Sequence, residues 1–302
     1  MKRVAYMGVI AFLLAVIVGC ETLDTLSKGV TTVGVATGTI SSQQANSINN
    51  SASAVGKTFD KLTPQNEYYV GRAVGASLLS KYKLYDNKTA TIYLNTLGQT
   101  LAVFSTKPET WGGYHFMIMD TDEINAFAAP GGLILVSRGL LRCCKNENAL
   151  AGVLAHEIGH VQLEHAINSI KKSRIAEAGK TLLVEAGKNL AGEQVAQLTT
   201  VFEGSLDDVK NAMLNGYAKS DELNADKAAV AILIKSGYGP DGLKQMLLEM
   251  DRRLQPGKSG FGKTHPDPMV RIKEIQPLLN NAHPSIMSAE RQERFEKALA
   301  GV

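Results

Sequence analysis

The pentapeptide His156-Glu157-Ile158-Gly159-His160 contains the residue types and spacing best suited to chemistry. Apolar residues recur with helical spacing from Ala149 to Gln162, so the pentapeptide is predicted to lie on a buried helix. Side chains four positions apart on an α-helix are separated by about 40°, which lets both imidazoles reach one metal ion. Glu157 lies beside them, near enough to take a proton from a water molecule on that ion. Two core histidines in a chance match are the alternative, but the spacing favours zinc.

A catalytic zinc ion needs a third protein ligand and an open position for water. In one known arrangement a third histidine follows six residues after the pentapeptide, beyond a glycine turn. That position is Ala166 here, and no glycine lies between His160 and Ala166, so this arrangement is excluded. His165 is five residues past His160, about 140° round a continuous helix, and is predicted to face away from the metal in a surface or core role.

A carboxylate on a second helix is the other route to a third ligand. The acidic segment Asp221–Asp226 opens a predicted helix, with Ser220 as its expected N-cap. Glu222 and Asp226 are four residues apart, so one can bind the metal while the other accepts a hydrogen bond from a ligand imidazole. Alone, such a cluster is typical of a solvated helix start, but beside the histidine pair it is the best candidate. Two weaker candidates are Glu203 and Glu164.

The elements that must position these side chains form a predicted α+β domain, mostly helical with a small sheet next to the histidine helix. Thr63 is the expected cap of its first helix, with Pro64 in the first turn. The predicted elements are helices at about 64–82 and 87–105, strands at Tyr114–Asp120 and Leu133–Ser137, and helical segments from Asn146 almost to the end, apart from a Pro/Gly-rich break at 255–268.

The N-terminus predicts export and lipid anchoring. Lys2 and Arg3 precede an apolar run, Val4–Val18, that spans about 22 Å as a helix, too short for a bilayer core. We interpret residues 1–19 as a lipoprotein signal peptide and Cys20 as the lipidated residue, with an uncleaved anchor as the alternative. In the lipoproteins that this N-terminus resembles, an aspartate directly after the cysteine retains the protein at the inner membrane. The residue here is Glu21, so the resemblance implies an anchor in the outer membrane, with the protein in the periplasm. Residues 20–60, rich in small polar residues, are predicted to be a flexible tether, and 61–302 the folded domain.

Composition limits the remaining function classes. The 302-residue chain is 44% hydrophobic and 20% charged, an ordinary globular balance. Its net charge is only +3 and its aromatic content 6%, which argues against nucleic-acid binding. Cys143 and Cys144 are predicted to be small buried residues, with a strained vicinal disulfide or a pairing with another chain as alternatives.

Several motifs together resemble the HtpX-like/CAAX-prenyl-protease zinc metallopeptidases, and in particular their soluble periplasmic lipoprotein branch. The resemblance runs from about Gln65 to Ile275. It rests on four segments: Ile124–Gly132, Ser137–Leu141, the histidine helix, and Glu222-x-x-Ala225-Asp226.

The resemblance implies a zincin-like domain of the gluzincin type, with roles for individual residues. His156, His160 and Glu222 would be the ligands of one zinc ion per chain. Glu157 would be the base, and Asp226 would support a ligand from behind. Asn125-Ala126-Phe127 would form an edge strand against which substrate backbone pairs, although the residues alone fit a hairpin with a Gly-Gly turn equally well.

Two further positions are singled out by the resemblance. His265, followed by Pro266 and Arg271, resembles a family element near the cleft, where the histidine can approach the metal or gate the site. A loop histidine held by the neighbouring proline is the alternative. Many relatives have arginine three residues before the third ligand, but this chain has Lys219.

The proposed zinc site predicts peptide hydrolysis. The resemblance is to a branch whose members act in envelope protein quality control, and it implies misfolded or unassembled cell-envelope polypeptides as substrates. Tyr217 and His265 are candidate donors to the oxyanion, and residues 166–219 are predicted to form a mobile helical flap over the cleft. His115 and His283 are predicted to be structural or exposed. A non-catalytic zinc lipoprotein acting as a chaperone or assembly factor is one alternative, and zinc hydrolysis of a non-peptide bond is another.

Overall fold

A computed structural model describes most of the predicted domain. The described residues are 28–29, 31–38, 41–43, 45–46, 49, 62–171, 209–253, 265–282 and 288–302. The predicted signal peptide, Cys20, Glu203, His283 and most of the predicted flap lie outside them. Among the described residues, no helix combines the length and apolar character that a membrane crossing requires.

Backbone contacts divide the chain into two compact units. The first comprises residues 1–61 and 169–208, and within it residues 31–36 are helical. The second comprises residues 62–168 and 209–302 and contains every residue of the candidate site that the structure describes.

The second unit has the predicted α+β layout of helices around a small sheet. Its helices are α1 (Pro64–Lys81), α2 (Lys88–Ala102), α3 (Arg138–Leu141), α4 (Glu147–Gln162), α5 (Lys219–Lys235), α6 (Asp241–Arg253), α7 (Pro268–Asn280) and α8 (Ala289–Ala298). Its strands are β1 (His115–Met119), β2 (Ala126–Ala129) and β3 (Leu133–Ser137). Residues 165–168 and 209–215 of this unit are also helical. The two N-terminal helices and the two strands expected from the sequence are confirmed.

Capping interactions fix where several helices begin. The Thr63 hydroxyl accepts the Asn66 N–H, and Pro64 occupies the first turn of α1, as predicted. The expected cap of α5 is wrong. That helix begins at Lys219 after Ala218, which offers no side-chain cap, so Ser220 lies inside the first turn.

The sheet has the strand order β1-β3-β2, with β1 parallel and β2 antiparallel to the central β3. A turn at Pro130–Gly132 joins β2 to β3, with Gly131 at φ 69° and packed against the backbone of Tyr68. The sequence left open whether the residues around Ala126 form an edge strand or a hairpin with a Gly-Gly turn. In the structure, β2 is both an edge strand and the first strand of that hairpin. Within the described part of the chain, β2 pairs on one side only, so its other side is an edge.

The histidine helix α4 lies at the centre of the unit. Every residue from Glu147 to Val161 is buried, so α4 is enclosed on all sides rather than along one stripe. Two glycines let its neighbours approach. A Cβ at Gly159 would lie 2.9 Å from the Ala225 carbonyl oxygen of α5, and one at Gly152 would lie 2.6 Å from the Leu243 nitrogen of α6. Cys143 and Cys144 are buried free thiols beside this core, in agreement with the first interpretation.

A polar cluster fixes the start of α4. Glu147 is fully buried at the first position of the helix, and its carboxylate accepts hydrogen bonds from the hydroxyls of Tyr93 (2.9 Å) and Tyr238 (3.0 Å). Arg294 of α8 donates to both carboxylate oxygens. The ion pair thereby fixes the C-terminal helix α8 to the start of α4, the helix that carries the histidines.

Candidate metal centre

Helix α4 presents His156 and His160 on the same face, one turn apart. Their Nε2 atoms lie 3.1 Å from each other, and both side chains are buried. The close approach follows from the helical repeat, which stacks positions four residues apart.

Helix α5 brings the Glu222 carboxylate to this pair. One carboxylate oxygen lies 3.6 Å from His156 Nε2 and the other lies 3.5 Å from His160 Nε2. Neither oxygen accepts a hydrogen bond from any described residue, although the side chain is completely buried. A buried carboxylate without donors is costly unless a cation neutralises it, so this arrangement fits a metal ion.

His265 lies in the same cluster, with its Nε2 3.5 Å from Glu222 Oε2. The four ligand atoms of His156, His160, Glu222 and His265 all lie within 4.8 Å of one another. Ligands at 2.0–2.1 Å from a tetrahedral zinc ion would be separated by about 3.3 Å. Four distances within the cluster, three of them to one or other oxygen of the Glu222 carboxylate, are 3.1, 3.5, 3.5 and 3.6 Å, so the donor set and its dimensions both fit a metal of this size.

Asp226 supports His156 from behind. Its Oδ1 lies 2.9 Å from His156 Nδ1, the nitrogen that points away from the cluster. Arg271 of α7 donates from Nε to Oδ2 (2.8 Å) and from Nη2 to Oδ1 (2.6 Å). Burial alone would favour the neutral acid, but the guanidinium holds the pKa of Asp226 well below its usual range. The sequence placed Arg271 near the cleft without predicting this contact.

His165 has a core role and lies outside the metal cluster, as predicted, but the expectation that it turns away from the ligand helix is wrong. Its Nδ1 lies 2.8 Å from Nδ1 of His160, and the side chain is 5% exposed. The expectation that it faces away assumed a continuous helix, whereas α4 ends at Gln162 and a turn precedes the next helical residues. His165 does not belong to the four-residue cluster, but it touches one of its members.

Glu157 points toward the cavity beside the cluster. It is buried, and its Oε1 has no hydrogen-bond partner among the described residues. Burial raises the pKa of Glu157 to about 7, with Glu222 adding to the effect and His156 and Arg271 opposing it. A carboxyl group with this pKa can both accept and return a proton near neutral pH.

Strand β2 forms one wall of this cavity. Residues 126–128 line it together with Glu157, His160, Met213, Gly216, Tyr217 and His265. Asn125, predicted as part of the substrate strand, precedes β2, and its side chain accepts the N–H of Ala126. Of the three residues predicted for the substrate strand, Ala126 and Phe127 line the cavity.

Tyr217 also lines the cavity, and its ring stacks on His160 with the centroids 4.6 Å apart. Its hydroxyl is buried and has no hydrogen-bond partner within the described ranges. Burial raises the pKa of Tyr217 far above its usual value, so the hydroxyl remains a donor at neutral pH.

Several other predicted residues lie elsewhere. His115 is exposed and contacts the Gly112 carbonyl oxygen, in agreement with the sequence. Glu164 forms an ion pair with Lys107 and is not part of the cluster. Lys219 is exposed at the start of α5.

Comparison with known proteins adds independent evidence. The family model described as Peptidase family M48 matches residues 88–278.

The chain is 28% identical over 241 residues to the beta-barrel assembly-enhancing protease of Escherichia coli (strain K12), covering 77% of this chain and 46% of that protein. It is 28% identical over 228 residues to the mitochondrial metalloendopeptidase OMA1 of Schizosaccharomyces pombe, covering 74% and 62% respectively. Metalloprotease YcaL of Escherichia coli (strain K12) is 30% identical over 129 residues, 43% of this chain and 48% of that one. The chain thus spans about half the length of the first of these relatives.

Proposed function

The chain belongs to peptidase family M48, and on this premise we propose that it is a zinc-dependent endopeptidase of misfolded or unassembled cell-envelope proteins. The observation that carries the proposal is the cluster of His156, His160, Glu222 and His265 beside the buried, unpartnered carboxylate of Glu157. The metalloprotease names of several relatives support the same activity.

The proposed metal is one zinc ion per chain, held by His156, His160 and Glu222. Two imidazoles and one carboxylate from two helices are a donor set that catalytic zinc uses. Asp226 would fix the ring orientation of His156 through its Nδ1, at the observed 2.9 Å. When bound, zinc would supply a Lewis acid that polarises the scissile carbonyl and makes a nucleophile available at neutral pH.

The protein's own groups would move the protons. Glu157 would accept a proton at Oε1 from the attacking water and return it to the leaving amine, a role that suits its pKa of about 7. The Tyr217 hydroxyl, protonated and without a partner among the described residues, would donate to the developing oxyanion.

Substrate would bind as an extended segment along the edge of β2. An edge strand offers unpaired backbone donors and acceptors, which bind a polypeptide with little demand on its sequence. Such binding suits a protease of unfolded chains, and Ala126 and Phe127 lie on the cavity wall next to Glu157. The name of the Escherichia coli relative, beta-barrel assembly-enhancing protease, agrees with an envelope substrate.

We propose the cell location from the N-terminal sequence. Residues 1–19 would be removed as a signal peptide, Cys20 would be lipidated at the periplasmic side of the outer membrane, and residues 20–60 would tether the domain 61–302. Labelling with a radioactive fatty acid, lost on Cys20→Ser substitution, tests this assignment.

The position of His265 supports a second candidate function. The protein would be a zinc lipoprotein with a closed metal site that acts as a chaperone or assembly factor. With His265 near the other three donors, all four positions of a tetrahedral ion would be occupied by protein, and no position would remain for water. The two candidates differ in their dependence on Glu157. A binding role survives Glu157→Gln, whereas proteolysis does not.

The test combines metal content and cleavage in the purified full-length chain. One zinc per chain with cleavage of unfolded casein supports the protease, and peptidoglycan as a second substrate tests hydrolysis of a non-peptide bond. Glu222→Ala should lose the zinc, whereas Glu157→Gln should keep it. Stoichiometric zinc without cleavage by the wild type would support the binding protein.

A further inference from the structure

A turn with an unusual backbone brings His165 to the metal cluster. Glu164 has φ 54° and is the only non-glycine residue in the described ranges with positive φ. Residues with a Cβ adopt this left-handed conformation at a cost in free energy, so the surrounding structure must hold it in place. The turn interrupts the helix between His160 and His165, which would otherwise point in directions about 140° apart.

Neighbouring segments hold this turn in place. The Lys107 ammonium lies 3.0 Å from Glu164 Oε1 and 2.8 Å from Glu67 Oε2 on α1. The Thr106 N–H donates to the Gln162 side chain at 2.8 Å, at the last residue of α4. These contacts fasten the end of α4 to α1, and the strained residue is therefore well supported.

The contact between the two histidines requires one particular arrangement of protons. Two Nδ1 atoms 2.8 Å apart can form a hydrogen bond only if one carries a proton and the other does not. His160 Nε2 faces the cluster, and a nitrogen that binds a metal must be unprotonated. His160 must then carry its proton on Nδ1 and donate it, and His165 accepts on Nδ1 and keeps its own proton on Nε2.

We propose that His165 is a positioning residue for the metal site, which fixes the ring orientation and the tautomer of His160. This inference rests on the proposed zinc site. The two ligand histidines would then have different supports: the anionic Asp226 for His156, and a neutral imidazole for His160. Tyr217 stacks on the His160 ring and restrains it from another side. Supports of this kind change metal affinity by about 10–100-fold.

The test measures zinc affinity by competition with a chromogenic chelator. The full-length Glu157→Gln protein is the parent, and three further substitutions are each made in it. His165→Leu removes the acceptor, and His165→Asn keeps an oxygen near the position of Nδ1. Ile170→Val, on the same helical segment and 1% exposed, is the matched control for lost packing. Thermal unfolding of each metal-free variant is recorded in parallel.

We expect His165→Leu to weaken zinc binding by about 10–100-fold. His165→Asn should recover most of the affinity, and Ile170→Val should lower only the melting temperature. Equal affinities in all variants would overturn the inference, as would equal losses in the Leu and Asn variants, which would indicate packing. A parent protein that binds no zinc would overturn both this inference and the proposed function. A wild type that binds zinc without cleaving casein would overturn only the function.

Discussion

Arg271 and Asp226 form a buried two-pronged ion pair directly behind the metal cluster, with N···O distances of 2.8 and 2.6 Å. Both residues are fully buried, and they come from helices α7 and α5. Through Asp226 the pair extends to His156 Nδ1. The C-terminal part of the domain thereby sets the environment of a proposed ligand on α4.

Replacing Arg271 should destabilise the protein strongly. Arg271→Leu leaves the Asp226 charge buried without its main partner, and we expect a loss of about 3–5 kcal/mol in the free energy of unfolding. Urea denaturation measures the loss. Arg142→Leu is the matched control, since Arg142 pairs with Asp122, whose side chain is 84% exposed. That change should cost about 1 kcal/mol or less. Similar losses in the two variants would refute a special role for the buried pair.

Zinc binding should require the Glu222 carboxylate, whereas the stability of the metal-free protein should not. In Glu222→Gln a neutral amide replaces a buried carboxylate that accepts no hydrogen bond from a described residue. We expect the metal-free variant to be as stable as the metal-free wild type, or more stable. Added zinc should raise the melting temperature of the wild type only, and a chelator should reverse that rise. A zinc-induced rise of equal size in the variant would contradict the ligand assignment.

Replacing His265 should make one position around the metal available to water. If this imidazole fills the fourth position around the metal, His265→Ala frees that position for water and should raise kcat on unfolded casein, with zinc still bound. Steady-state kinetics with parallel zinc analysis measure the effect. A fall in kcat with zinc retained would instead indicate that His265 donates to the transition state.

Alkaline pH should weaken the attachment of α8 to α4. Burial, helped by the negative charge of Glu147, raises the pKa of Tyr238 to about 12. Because the folded-state pKa lies above the unfolded value of about 10, this tyrosine stabilises the fold below pH 10, and the contribution is lost as the pH rises from about 10 to 12. The stability gap between the wild type and Tyr238→Phe, measured in urea, should therefore narrow over that range. A constant gap would show that Tyr238 does not titrate in this way.

Local patterns were sufficient to predict much of the fold. The Thr63-Pro64 pair marks the start of α1, and a short apolar run directly after the Pro130–Gly132 turn marks β3, because these signals act over a few residues. The spacing of His156 and His160 depends only on the helical repeat, so their approach was also predictable.

The errors arose where tertiary structure overrides a local rule. Leu163 and Glu164 offer neither the glycine nor the asparagine that usually ends a helix, so nothing in the sequence announced the turn that redirects His165. Arg271 and Asp226 are 45 residues apart in sequence, and only the packing of α7 on α5 brings them together. Ser220 is not the cap because α5 begins at Lys219, two residues earlier than a cap at Ser220 would require.

Cleavage of unfolded casein by Glu157→Gln, with the zinc content of the same sample, tests the central claim most directly. The substitution keeps the size of the side chain and removes its ability to accept a proton. The account predicts one zinc per chain, as in the wild type, with kcat lower by about 10²–10⁴-fold. Undiminished cleavage in the variant would contradict the assignment of Glu157 as the base, and with it the proposed peptidase mechanism.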